Sequence, residues 1–249
     1  MANDLTSTQG AGHWLQPNMC SVILALSEHE NYPLIVAANR DEWLARPTAP
    51  FGQLAQSPAA FGGRDLRAQG TWFAIRPDGC MSLVTNTRPG NAPDTKKKSR
   101  GTLVLDLLAQ PTLEAMVTAA AAVDPQLYNP FNLLFGQGTQ YYLLSSAQPF
   151  TKEPLPAGVH VLGNVALDSP EDSKTVFVKK ELEDLRRWPK EQLAERLSTI
   201  LSDPALYLDT ESYGTRWSMV YLERTPGDGS LGIAEAGIQN GPLRKVRVG

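Results

Sequence analysis

Met19-Cys20 opens an apolar run, and three further polar segments stand where bland strand sequence would be expected. Asn39-Arg40-Asp41-Glu42 follows directly on a second apolar run. Val84-Thr85-Asn86-Thr87-Arg88-Pro89-Gly90 ends a third. The last is a pair, Leu162-Gly163-Asn164 and Tyr213-Gly214-Thr215-Arg216-Trp217. Polar groups at the ends of core strands must find partners or face a pocket, and such ends are where sites are usually built. Each residue alone also has an ordinary reading. Cys20 can be a small buried hydrophobe, Asn-Arg-Asp-Glu a capped turn with an internal ion pair, Asn86 turn chemistry, and Arg216 an exposed strand residue. The combination points to a thiol surrounded by cations, a carboxylate and amides.

The elements that must position these groups are hairpins and short helices. Ser21 to Leu26 and Leu34 to Ala38 flank polar Glu28-His29-Glu30-Asn31 and read as a hairpin. Their continuous apolarity predicts strands covered on both faces. Residues 71–75 and 80–85 flank Arg76-Pro77-Asp78-Gly79, whose Pro and Gly suit a turn. Residues 131–135 with 140–144, and 215–222 with 230–235, give two more hairpins. Pro111 is placed like a first helical residue before the stripe Leu113, Met116, Val117 and Ala120. Ser169 reads as the cap of a helix running through Val178 and Leu182, and Trp188-Pro189 starts another with the stripe Leu193, Leu197, Ile200 and Leu201. Gly62-Gly63 and Gly136-x-Gly138 read as loop glycines, since neither fits a phosphate loop. This order argues for α+β layers rather than βαβ winding.

Composition limits the function classes. The 249 residues are 42% hydrophobic, enough for a sizeable core. With 26 acids against 23 bases the net charge is −3, which gives no field to hold nucleic acid or an anionic membrane. The basic run 96–100 is a solvated loop, or a clamp for a phosphate or carboxylate at a site mouth. Two cysteines, Cys20 and Cys80, without a CxxC pair, exclude a structural zinc site and a disulfide scaffold. No run approaches the roughly 20 apolar residues of a membrane-spanning helix, and residues 1–18 lack the marks of a signal peptide. A cytoplasmic protein is expected, with 1–18 a flexible extension or tag and 19–249 a single domain. Metal is not expected, and the sequence is silent on oligomeric state.

"AANRDE" at 37–42, "QGTW" at 69–72, "VTNTR" at 84–88, "YNPFNLL" at 128–134, "LGNVALDSPEDSK" at 162–174 and "YGTRWS" at 213–218, after Met19-Cys20, resemble the NRDE family from end to end. This is the family of the transport and Golgi organisation protein, itself similar to Cys N-terminal-nucleophile amidases such as bile-salt hydrolases and penicillin V acylase. The resemblance implies an αββα four-layer sandwich of two antiparallel sheets. It also implies a site. With the preceding residue removed, Cys20 carries a thiol and a free α-amine, which titrates near about 7.7–8 and can act as base. Arg40 then lowers the thiol pKa, Asp41 holds the amine, Asn86 and Asn164 offer an oxyanion hole worth about 2.7–4 kcal/mol per donor, and Arg216 neutralises charge near the sulfur.

The family typically begins at Met-Cys, whereas here 18 residues precede Met19. Met19 is the true start, or the chain processes itself at Met19-Cys20, or the protein is not an enzyme. Family members have been associated with haem trafficking and with lipid or acyl-thioester metabolism, and fold does not decide function. The resemblance therefore implies either a Cys-dependent hydrolase of linear amide or acyl compounds, needing no cofactor, or a non-enzymatic carrier that binds haem or an acyl lipid. His13, His29 and His160 are the histidines for haem, and the Cys20 thiolate is a further ligand type. The partner in either case is a small molecule.

Overall fold

The computed structural model describes residues 20–87, 93–235, 237, 239 and 241–248. The extension 1–18, Met19 and the Arg88-Pro89-Gly90 part of the third polar segment lie outside them. In chain order the elements are β1 (Ser21–Leu26), β2 (Leu34–Trp43), β3 (Thr48–Gln56), β4 (Ala59–Asp65), β5 (Phe73–Ile75), β6 (Met81–Asn86), α1 (Arg100–Leu108), α2 (Leu113–Ala121), β7 (Phe131–Gln137), β8 (Gln140–Ser145), β9 (Gly158–Leu162), α3 (Ser173–Glu181), α4 (Leu193–Leu201), β10 (Tyr213–Glu223), β11 (Gly229–Ala234) and β12 (Arg244–Val246). They form two six-stranded antiparallel sheets, ordered β12-β11-β10-β2-β1-β9 and β3-β4-β5-β6-β7-β8.

Strand alternation sorts the apolar side chains into three layers. Val22, Leu24, Leu34 and Val36 point inward and meet Phe73, Met81, Leu83 and Leu134 of the other sheet. Their neighbours Ile23, Ala25, Ile35 and Ala37 point outward, against Val178 and the α4 stripe Leu193, Leu197, Ile200 and Leu201. On the far side, Leu133, Phe135 and Leu144 pack on Leu103, Leu107 and Met116 of α1 and α2. These three cores are the interfaces of an α+β, four-layer αββα sandwich. Both faces of β1 and β2 are covered, which explains their unbroken apolarity. No described helix is long and apolar enough to cross a membrane.

The structure amends several local expectations. Pro111 precedes α2 instead of starting it, because the Thr112 side chain accepts from Ala115 N and so takes the cap. Asp172, not Ser169, caps α3: a turn closed by Asp172 N–H onto Ser169 C=O (3.1 Å) delivers the carboxylate to Thr175 N. Gly62 and Gly63 lie in β4 and Gly136 in β7, so these are strand glycines. A Cβ on Gly62 would overlap the Phe73 carbonyl oxygen, and one on Gly63 the Trp72 ring. β3, β4 and α1 were not anticipated at all.

One local network fixes the segment between β9 and α3. Asp168 accepts from His160 Nδ1 (2.7 Å), Val161 N (2.9 Å) and Lys179 Nζ (3.0 Å). His160 Nε2 meets the Pro156 carbonyl at 2.8 Å. The chain from 163 to 172, which carries Asn164 and leads into α3, is thereby tied to β9.

The close approach at Gly62 has a measurable consequence. Gly62→Ala should lower stability by about 1–3 kcal/mol, since the obstacle is backbone and cannot rotate away. Gly52→Ala on the neighbouring strand, where the nearest atom to a new Cβ is Pro50 O at 4.0 Å, should stay within about 0.5 kcal/mol. Denaturant midpoints of the two variants check this pair.

Candidate functional site

Four strand ends meet at one edge of the first sheet. Ser21 pairs with Asn39 and Val22 with Leu162. Continuing those registers sets Cys20 between Arg40 on β2 and Asn164 beyond β9. On the other side of β2, Asp41 pairs with Thr215 and Arg40 with Trp217, with Arg216 bulged out between them. Cys20, Arg40, Asp41, Asn164 and Arg216, far apart in sequence, thus stand on adjacent strand ends.

Cys20 is held under strain. Its φ of 26° lies in the left-handed region that non-glycine residues avoid. Its thiol points to the Asp41 carbonyl at 3.9 Å. Burial, then the Asp41 charge, push the thiol up to about 11, against the opposing pull of Arg40 and Lys174. As a chain-internal residue Cys20 is therefore a protonated thiol at neutral pH.

Asp41 is the anionic centre. It is 4% exposed. Oδ1 accepts from Thr215 Oγ1 at 2.5 Å, and Thr215 Oγ1 accepts in turn from Leu208 N at 2.9 Å. Oδ2 is buried with no hydrogen-bond partner among the described residues. The Asp41 carbonyl also accepts from Tyr213 OH at 3.1 Å. Burial raises the carboxyl to about 6, while Lys174, Thr215, Arg40 and the Cys20 backbone N–H favour the ionised form.

Alternation divides the Asn-Arg-Asp-Glu segment. Asn39 turns toward the helices, where Nδ2 donates to Leu201 O (2.7 Å) and Oδ1 accepts from Ser218 Oγ (2.7 Å). It is a structural tie. Arg40 turns between the sheets, stacked 4.0 Å over the Trp72 ring and paired with Glu42 at 3.2 Å. Arg46 extends this network to Glu42 (3.6 Å) and Asp65 (2.6 Å).

Asn164 is 6% exposed, and its Nδ2 donates to the Asn86 backbone carbonyl. Beside it, Thr85 Oγ1 donates to Gly163 O at 2.8 Å. These two bonds join the sheets behind Cys20. Asn86 enters the site through its carbonyl; strand alternation sets its side chain with Ser82 and Val84, away from the inter-sheet core that holds Met81 and Leu83. The Arg216 guanidinium donates to Leu44 O (2.9 Å) and Arg46 O (2.7 Å), clamping the turn after β2. Arg40 and Arg216 share a cleft of about 210 Å³ floored by Trp72, Trp217 and Phe51. Half-buried Cys20 and buried Asp41 and Asn164 form the cluster beside it, with Arg40 common to both. A larger groove of about 590 Å³ lies between α3 and α4 and is lined by none of the candidate site residues.

Sequence reasoning overlooked Lys174. It sits in the first turn of α3, 4% exposed, with Nζ 3.3 Å from the Cys20 carbonyl oxygen. With Thr175 and Val178 it forms the buried stripe of α3. The histidines are otherwise engaged. His160 has both ring nitrogens bonded, and His29 Nε2 meets Trp188 O at 2.9 Å while Nδ1 accepts from Asn31 N. His13 lies outside the described residues. Among the described residues no group of three or more His, Cys, Asp or Glu could hold a metal ion.

Residues 19–227 match the protein-family model described as Transport and Golgi organisation 2. The chain is similar to the mouse Transport and Golgi organization 2 homolog, 27% identical over 205 residues that cover 73% of this chain and 72% of that one. It is 28% identical to Transport and Golgi organization protein 2 of Drosophila melanogaster over 189 residues, 68% of this chain and 65% of that one. Among solved structures, a Caenorhabditis elegans N-acylethanolamine-hydrolyzing acid amidase ortholog superposes with a TM-score of 0.53 at 13% identity, covering 84% of this chain and 95% of that chain. At that identity the likeness is one of fold.

The raised carboxyl of Asp41 makes a stability prediction. Its folded-state value, about 6, exceeds the unfolded value of about 3.9, so the folded state binds the proton more tightly. This group then favours folding below about pH 4, and that advantage is lost as pH rises through 6. At about 1.4 kcal/mol per pH unit, ionising it costs roughly 3 kcal/mol at pH 7. Asp41→Asn, which keeps an acceptor for Thr215, should remove that slope and gain stability at pH 7 relative to pH 4. Denaturation curves from pH 4 to 8 on both proteins measure the difference.

Proposed function

We propose that this chain, which belongs to the Transport and Golgi organisation 2 family, is a cysteine-dependent hydrolase of linear amides or related acyl compounds, active when Cys20 bears a free α-amine. The observation that carries this reading is the meeting of Cys20, Arg40, Asp41 and Asn164 at adjacent strand ends, with a buried, half-satisfied carboxylate beside the Cys20 nitrogen. The amidase named among the structural neighbours supports the substrate class by analogy of fold alone.

The chemistry follows from the groups present. A thiol pushed up to about 11 needs a local base. Neither described histidine has a ring nitrogen to spare, so the α-amine of Cys20 is the base. It takes the thiol proton, and the sulfur attacks the acyl carbon. Asn164 donates one amide hydrogen to Asn86 O and has a second for the oxyanion, while Asn86 contributes its carbonyl as the anchor of Asn164. The ammonium returns its proton to the leaving amine, a thioester remains, and water activated by the same amine releases the acid. Arg40 offsets charge on sulfur, and Arg216 acts from the neighbouring cleft. Both cysteines are free thiols, which suits the cytoplasmic setting assigned to the protein in this reading. The alternative is a non-enzymatic carrier of haem or acyl lipid, in which the Cys20 thiolate would be a ligand to haem.

A version of the chain beginning at Cys20 should hydrolyse simple N-acyl anilides at least about 10²-fold faster than the version retaining residues 1–19, the difference a positioned base makes. Cys20→Ala should abolish turnover. No turnover in either version, with equal binding of haem or acyl lipid, favours the carrier, and equal rates in both would remove the α-amine as the base.

A further inference from the structure

A lysine buried to 4% exposure is uncommon and costs free energy unless its charge is used. On α3, Lys179 and Lys180 lie outside at the surface, and Lys174 alone of the three turns inward. The Asp172 cap and the packing of Val178 fix the helix, and so fix where the ammonium sits. It reaches the carbonyl of Cys20 at 3.3 Å. Gly163 lies at the same spot: a Cβ there would stand 3.8 Å from Cys20 O and 3.9 Å from Asp172 Oδ2.

We propose that Lys174 is a positioning residue of this site: it anchors the Cys20 carbonyl and is the cation that balances Asp41 beside the Cys20 nitrogen. The inference rests on the hydrolase reading for its purpose, though its geometry does not. An anchored carbonyl holds Cys20 in its strained left-handed conformation, with thiol and nitrogen both turned toward Asp41. The charge matters equally. Asp41 alone would favour a protonated amine and disable it as base. A second cation opposes that protonation. The other charged and titratable groups around Asp41 are Arg40 and Glu42 on β2, Cys20 just before β1, Tyr213 on β10 and Tyr207 before it. Lys174 is the leading charge among those that favour its ionised form.

The test uses the full chain and needs no turnover. Lys174→Gln keeps a donor for the Cys20 carbonyl and removes the charge, whereas Lys174→Arg keeps both. In Lys174→Gln the Asp41 carboxyl, followed by ¹³C NMR and assigned with Asp41→Asn, should titrate at least about one pH unit higher, the usual effect of losing a close opposite charge. Iodoacetamide alkylation mapped to the Cys20 peptide should shift to higher pH in the same variant. Lys174→Arg should restore both profiles. A lowered melting temperature with both titrations unchanged makes Lys174 merely structural and overturns the proposal. If both titrations move while the chain beginning at Cys20 shows no hydrolysis, the hydrolase reading fails and the electrostatic role of Lys174 stands.

Discussion

Burial of the Asp41 carboxyl governs the site. The end of β2 carries it into the interface between the first sheet and its helices, where water cannot solvate it. Thr215 satisfies one oxygen, and the other has no hydrogen bond among the described residues. Such a group is destabilising, and the fold has arranged partial compensation around it. The β10 bulge brings Thr215 to the carboxylate and swings Arg216 onto the preceding turn. Helix α3 is capped and docked so that Lys174 arrives from the third direction. Cys20 takes a strained conformation on the remaining side. Uncompensated polar burial and backbone strain persist where surrounding structure over-determines them, and function is the usual reason.

The two faces of β2 separate support from chemistry. Asn39 spends its side chain on Leu201, Leu206 and Ser218, locking the loop before β10. Arg40, one residue on, lies in the inter-sheet space over Trp72. Gly63 lets the Trp72 ring approach β4, so a glycine on the second sheet helps set the position of a cation belonging to the first. The hydrogen bonds from Asn164 and Thr85 then join the two sheets behind the thiol. Strand β2 holds Arg40 and Asp41, and hydrogen bonds at the strand ends fix Cys20 and Asn164, which suits a constellation that must keep its geometry.

Much of this was legible in the residues. β1 and β2 announced themselves by unbroken apolarity, and the α4 stripe by its spacing, because burial on two faces or on one stripe leaves those patterns. β3 was hidden: Pro50, Gly52 and half-exposed residues give an irregular edge strand whose pairing shifts twice. α1 begins within the basic run 96–100, so charge masked a helix start capped by Ser99. The candidate site was marked by polar residues ending apolar runs, and the strand registers bring Cys20, Arg40, Asp41 and Asn164 from those runs together. That mark did not separate Asn39 from Arg40, since only the sheet's two faces do so. Lys174 escaped because a lysine among Glu171, Asp172 and Ser173 resembles any solvated helix start.

In the proposed reaction this strand-end cluster makes Cys20 an acyl acceptor once its nitrogen is free. Intact-mass spectrometry of the chain beginning at Cys20, quenched at intervals after mixing with a p-nitrophenyl acyl ester, tests it directly. The predicted result is one acyl group per chain, mapped to Cys20 and not to Cys80, that appears and then decays as water releases the acid. No adduct at Cys20, or labelling at the same rate in chains that retain residues 1–19, would contradict it.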